Sequence, residues 1–352
     1  MPPGVRGASF PVMTTTPPLP PTPNDPAALA EAVRRGERRA LARAITLIES
    51  TRADHRRAAE ALLAALLPHT GNSVRVGITG VPGVGKSTFI EAFGLHVIGQ
   101  GHKVAVLAID PTSQRTGGSI LGDKTRMVDL SREEAAFIRP SPAGSTLGGV
   151  ARRTREAMLV CEAAGFDVIV VETVGVGQSE TAVADMVDLF LLLLLPAGGD
   201  ELQGIKKGIM ELADVIVVNK ADGDLANTAR HTVADYRHAV TLLRHGADWR
   251  VPVLSCSAFE KRGIDAVWDT IGTHRATMEA NGARSARRAE QARAWLWSEI
   301  RETLIDAFRA NPKVRAELPD LEARVTSGGL VPTSAARTLL GHFLGREVGV
   351  RD

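Results

Sequence analysis

Residues 80–87 read Gly80, Val81, Pro82, Gly83, Val84, Gly85, Lys86 and Ser87, with Thr88 next. This G-x-x-x-x-G-K-S spacing stands between an apolar run at 74–78 and a stretch of helical spacing from Lys86. A strand, a glycine turn and a helix N-terminus in succession form a phosphate-binding loop. Glycines let backbone amides approach an anion, and the helix dipole favours negative charge there. The lysine can reach the terminal phosphates and the Ser87 hydroxyl can ligate Mg²⁺. The chain must therefore build a parallel sheet with this turn at a strand's carboxyl end.

The rest of the sequence suits that demand. Apolar runs at 74–78, 104–109, 137–139, 168–172, 189–195, 215–219 and 253–255 alternate with helical patterns, which is the signature of a parallel sheet with crossover helices. The expected fold class is α/β: a doubly wound, mostly parallel sheet flanked by helices, with helical N- and C-terminal extensions. Ligands of such sheets bind beyond the carboxyl ends of the strands. Gly80, Asp110, Glu172, Gly199, Asn219 and Ser257 fall at those ends.

Four regions are expected. Residues 1–24 are rich in proline and threonine and read as a disordered tail. Residues 25–70 carry two or three helices, beginning with Asp25 as a cap before Pro26 and broken at Gly36. Residues 71–272 form the nucleotide-binding domain. Residues 273–352 form long helices, in which Leu296, Ile300, Leu304 and Phe308 recur every four residues, Asn311-Pro312 ends one helix and Thr333 caps another. Such helices either cover the sheet or mediate dimerisation.

Charge and cysteine content exclude several classes. The 42 basic and 40 acidic residues leave a net charge of +2, which argues against an extended nucleic-acid surface. Cys161 and Cys256 are the two cysteines of the chain, far apart, giving neither a disulfide framework nor a metal cluster. The apolar run at 189–195 is too short to span a bilayer, and residues 1–26 have no apolar leader core. A cytoplasmic protein with no membrane requirement is expected.

A base-reading motif follows the strand at 215–218. In Asn219-Lys220-Ala221-Asp222 the carboxylate can accept from guanine N1–H and the 2-amino group, which adenine cannot offer in that arrangement. The Lys220 stem can lie along the base while Asn219 ties this loop to the phosphate loop. Further on, Ser257, Ala258 and Phe259 form a loop whose backbone amide can meet guanine O6. Glu172, followed by Gly175, occupies the place of an acid that holds a Mg²⁺-bound water or orients the attacking one, and the Gly175 amide can sense the γ-phosphate. Val176 stands where many small GTPases have a water-orienting glutamine, and Gln178 comes two places later. Slow intrinsic hydrolysis, accelerated by a partner or a dimer, is the expectation.

Two polar, glycine-rich loops complete the candidates. Residues 110–126 carry Asp110 and Asp123 as metal or water ligands near the γ-phosphate, with Arg115, Lys124 and Arg126 as charge-neutralising candidates. Residues 198–208 include Asp200, Glu201, Gln203, Lys206 and Lys207, an alternation suited to a nucleotide-responsive contact surface.

These stretches together resemble the MeaB/ArgK/MMAA group of P-loop GTPases, over residues 25–344. The resemblance rests on the loop at 80–88, on Asp-Pro-x-Ser and Thr-Gly-Gly-Ser-Ile-Leu-Gly-Asp-Lys-Thr-Arg-Met between 110 and 127, on 172–180, on 199–207 and on 219–222. It implies a homodimer with a GTP/GDP switch that acts as chaperone to an adenosylcobalamin-dependent mutase, most often methylmalonyl-CoA mutase, gating its cofactor loading and protection. On that resemblance Lys86 and Ser87 match phosphate and Mg²⁺ residues, while Asp110, Asp123 and Glu172 match metal-site or hydrolysis residues. Asp222 matches the guanine reader, and the segment from Asp200 to Lys207 matches a switch that communicates with the mutase. The alternatives are a GTPase metallochaperone for nickel or zinc, which usually carries Cys or His clusters, and a nucleotide-dependent kinase, whose ATP form Asp222 disfavours.

Overall fold

All seven apolar runs become strands of one parallel sheet. They are β1 (Val74–Gly80), β2 (Val104–Ile109), β3 (Ala136–Arg139), β4 (Val168–Thr173), β5 (Leu189–Leu194), β6 (Val215–Val218) and β7 (Val253–Ser255), in the order β3-β2-β4-β1-β5-β6-β7. Every pairing is parallel. The structure, a computed structural model, describes residues 25–50, 52–109, 127–140, 147–173, 179–196, 207–243 and 249–345.

The strands read as unbroken apolar runs because both faces of the sheet are covered. In β2, Ala105, Leu107 and Ile109 enter one core and Val104 and Val106 the other, the two-residue alternation of a strand. The first core is closed by α1 (Pro26–Arg34), α2 (Arg38–Glu49), α3 (Ala53–Leu66), α5 (Leu147–Ala163) and α6 (Ser179–Ala184). The second is closed by α4 (Lys86–Gly99) and α9 (Ile264–Ala280). Towards β7, α7 (Lys207–Leu212) and α8 (Ala226–Leu243) cover the ends of β5 and β6.

The N-terminal helices follow their sequence signals. Asp25 caps α1, its carboxylate accepting from the Ala27 amide at 3.1 Å with Pro26 in the first turn. Gly36, at φ +76°, separates α1 from α2. Leu41, Ile45 and Ile48 are buried in the core shared with α5.

The C-terminal helices depart from one expectation. α10 (Ala283–Ala310) contributes no residue to the cores that close the sheet. Its arginine-rich first turns grip the residues that open β1, β5 and β6, at the edge opposite the phosphate loop. Arg288 pairs with Asp188 at 2.6 Å and Arg287 with Asp214 at 3.1 Å. Arg284 and Arg288 each donate to Ser73 O at 2.8 Å. Beyond that anchor, Leu296, Trp297, Ile300 and Leu304 are 36–58% exposed. Phe308 instead joins a small separate core between α11 (Pro312–Thr326) and α12 (Pro332–Leu344). Asn311 ends α10 and caps α11, accepting from Lys313 N and Val314 N. The cap expected at Thr333 is not there: Pro332 opens α12 and Val331 takes the capping position, since proline preset at the first helical position starts the helix earlier. No helix among the described residues is long and apolar enough to cross a membrane.

Candidate functional site

The phosphate loop leaves the centre of the sheet's carboxyl edge, between β4 and β5. Two of its glycines are dictated by space. A Cβ on Gly80 would lie 2.5 Å from Leu193 O, and one on Gly85, at φ +89°, would lie 3.0 Å from the Asn219 amide nitrogen. The loop therefore packs against β5 and the strand-end turn after β6, and only glycine leaves its backbone exposed to a ligand at that approach. Val84 is buried beneath the loop, while Pro82, Gly83 and Thr88 face solvent and Ser87 is half-buried in the first turn of α4.

Lys86 lies at the base of this cradle, its ammonium donating to Gly80 O at 2.8 Å. Burial pulls its pKa below the usual lysine value, opposed by the charges of Glu172 and Glu180. A half-desolvated ammonium is a strong electrostatic partner for phosphate. Glu172 is buried near the end of β4, in register with Ile78 and Ala108. Thr173 donates its hydroxyl to Thr79 Oγ1 at 2.8 Å, locking β4 to β1 just below the loop.

The loops expected to read a base lie beside this cradle. Asn219 Nδ2 donates to Val84 O at 2.9 Å, so the link between the two loops is present as a direct hydrogen bond. Ser257 Oγ donates to Asp222 Oδ2, and Glu260 N–H donates to Ser257 Oγ at 3.0 Å, bracing the carboxylate. The Ala258 amide donates to Asn219 Oδ1 at 3.1 Å. That amide is thus engaged within the loop rather than pointing freely outward for O6. Phe259 is 85% exposed beside it. Lys220 adopts φ +58°, a left-handed conformation rare for a lysine.

The structure brings Gly80 to Thr88, Glu172, Asn219, Lys220, Asp222 and Ser257 to Phe259 together along one edge. Asp110, Asp123, Gly175, Asp200, Glu201, Gln203 and Lys206 lie outside the described residues, as do Arg115, Lys124, Arg126, Val176 and Gln178. Lys207 opens α7. Ile109, the last residue of β2, is in register with Thr173, the last residue of β4. Among the described residues no cluster of three or more His, Cys, Asp or Glu could hold a metal ion. Sequence reasoning missed the bracing of Asp222 by Ser257 and the engagement of Cys256 with Asn219, since both contacts join residues more than thirty positions apart.

The cradle fits the phosphates of a nucleotide on its own chemistry, and Ser87 and Glu172 are the oxygen groups that it offers to Mg²⁺ among the described residues. Two glycines keep the cradle open, a desolvated lysine sits at its base, a hydroxyl follows on the helix, and a fixed carboxylate stands beside it to accept from a base.

The chain is similar to known proteins in sequence and fold. The sequence model described as methylmalonyl Co-A mutase-associated GTPase MeaB matches residues 41–313. A protein of Caulobacter vibrioides is 60% identical over 88% of this chain and 94% of its own length. The GTPase ArgK of Escherichia coli is 50% identical over 89% and 96%. A crystal structure of an LAO/AO transport system kinase superposes with a TM-score of 0.72 at 41% identity, covering 93% of this chain and all of that one.

Proposed function

Because the chain belongs to the MeaB family of methylmalonyl-CoA mutase-associated GTPases, we propose that it binds and hydrolyses GTP as a chaperone of an adenosylcobalamin-dependent acyl-CoA mutase, methylmalonyl-CoA mutase foremost. The observation that carries the nucleotide reading is the Asn219 bridge from the phosphate loop to the loop of Asp222. It holds a triphosphate cradle and a guanine-reading carboxylate in one fixed relation.

Each residue then has a task. Lys86 releases Gly80 O to meet the β/γ-phosphates, Asp222 accepts from guanine N1–H and the 2-amino group, and Phe259 borders the base. Ser87 with Asp110, Asp123 and Glu172 would hold Mg²⁺, which supplies charge neutralisation on the phosphates. Glu172 and the Gly175 amide orient water and report the γ-phosphate. With Val176 where a glutamine often stands, hydrolysis alone is slow, and the mutase stimulates it. The segment from Asp200 to Lys207 carries the nucleotide state to the mutase. A homodimer forms through the exposed apolar stripe of α10, and the cytoplasm is the compartment.

A metallochaperone role is less well supported. Cys161 and Cys256 are both buried and far apart, and among the described residues no cluster of three or more His, Cys, Asp or Glu could hold nickel or zinc. A phosphotransferase role is separated by following γ-³²P-GTP. Label that appears as free phosphate supports hydrolysis, and label on a protein or small molecule overturns it. ATP turned over as fast as GTP would overturn the reading of Asp222.

A further inference from the structure

Cys256 reads in sequence as a small core residue, and it is 2% exposed. Its polar groups are all directed at one target. Its amide donates to Val218 O at 2.9 Å, its carbonyl accepts from Ala221 N–H at 3.0 Å, and its thiol reaches Asn219 Oδ1 at 3.5 Å. Val218 at the end of β6 and Asn219 and Ala221 in the turn after it are thus held by one residue at the neighbouring strand end. Inside that turn Lys220 sits at φ +58°, a conformation disfavoured for a residue with a Cβ that persists only where the surroundings fix it.

We propose that Cys256 is a positioning residue for guanine recognition: its thiol sets the orientation of the Asn219 amide, and its backbone fixes the turn that carries Asp222. The inference rests on the guanine-nucleotide reading given above. Asn219 must present oxygen to the Ala258 amide and nitrogen to Val84 O at once. A rotated amide would face nitrogen to an N–H and oxygen to a C=O, losing both bonds. The thiol, a donor aimed at the oxygen side, favours the productive orientation. It stays a donor across physiological pH, because burial first and the charge of Asp222 second push its pKa up to about 12. Through Asn219 this one side chain acts on the phosphate loop and the base loop together.

The test compares donor ability with packing. In the full chain, Cys256→Val keeps a buried apolar side chain without a donor, Cys256→Ser keeps a donor in a smaller side chain, and Cys256→Ala keeps neither. GDP affinity is measured by titration calorimetry, with the thermal midpoint recorded for each variant. Cys256→Val and Cys256→Ala are expected to bind GDP about fivefold more weakly, the loss of one net hydrogen bond, and Cys256→Ser to stay within about twofold of the parent whatever its midpoint. Affinity that follows packing, with valine equal to the parent or serine as weak as alanine, overturns the inference. Should the valine variant not fold, the serine-to-alanine ratio decides alone, and a ratio near one overturns it. A parent chain that fails to bind GDP would overturn the underlying reading instead, before any variant is compared.

Discussion

On the proposed reading Lys86 and Asp222 divide the recognition of one ligand between charge and hydrogen-bond pattern, so their substitution should fail in different ways. Lys86→Ala removes the desolvated ammonium at the base of the cradle and should lower GTP hydrolysis by about 10²-fold or more, read as phosphate release. Asp222→Asn replaces an acceptor oxygen with a donor nitrogen that faces the N–H groups of guanine. GTP affinity should drop about 10-fold to 100-fold, while xanthosine triphosphate, which presents a carbonyl at C2, should gain. Competition binding against a fluorescent guanine nucleotide reads both, and an unchanged base preference would show that Asp222 does not read the base.

A third residue tests pH. His274 is buried edge-on against Trp249, ring centroids 4.8 Å apart, beneath the joint of α9 and α10. Burial lowers its pKa from 6.5, with Arg287 acting in the same direction and Asp214 and Asp188 opposing. The folded state thus holds the ring neutral while the unfolded chain takes up a proton near its ordinary value. Stability is full above about 6.5 and declines as the pH falls below it. Thermal melts between pH 7.5 and 5.5 should show this decline, and His274→Phe should flatten it. The buried carboxylates Asp188 and Glu162, whose pKa values are lowered by their half-buried arginine partners against the cost of burial, lose their contribution only below the ordinary carboxylate range, so the two limbs separate.

Among the elements, the strands were the most legible. A strand buried on both faces has to be apolar at every position, and β5, all leucine and phenylalanine, declares itself without periodicity. The C-terminal helices were legible as helices but not in their placement. The arginines at 284, 287 and 288 look like an ordinary solvated face, since their partners Asp188 and Asp214 lie roughly 70 to 100 residues away. The Thr333 cap was misread because the competing signal, Pro332 itself, sets the first helical residue. In the site, the phosphate loop and Asn219 to Asp222 are local patterns and could be read, whereas the role of Cys256 depends on which strand lies beside β6. The arginine anchor has its own prediction. Arg288→Ala leaves Asp188 buried without its closest partner and should cost about 2–3 kcal/mol, seen as a lower midpoint in urea unfolding at pH 7.

At the scale of the molecule, the nucleotide site and the anchor of α10 occupy opposite edges of one sheet. The phosphate loop emerges where β1 ends, and α10 is fixed where β1, β5 and β6 begin. Beyond that anchor α10 runs along α5, where Glu299 pairs with Arg152 at 2.9 Å, and its exposed apolar stripe is the surface that the proposed dimer would use. Trp297→Asp with Ile300→Asp should convert a dimer to a monomer in light scattering while leaving GDP affinity unchanged.

What separates a nucleotide-timed chaperone from a free-standing GTPase is whether the mutase and the nucleotide site respond to each other. The direct measurement is the rate of phosphate release from GTP, with and without the cognate adenosylcobalamin-dependent mutase, alongside a Lys86→Ala control. A rate that rises on adding the mutase and vanishes in the control is predicted. An unchanged rate with a mutase verified as active would contradict it.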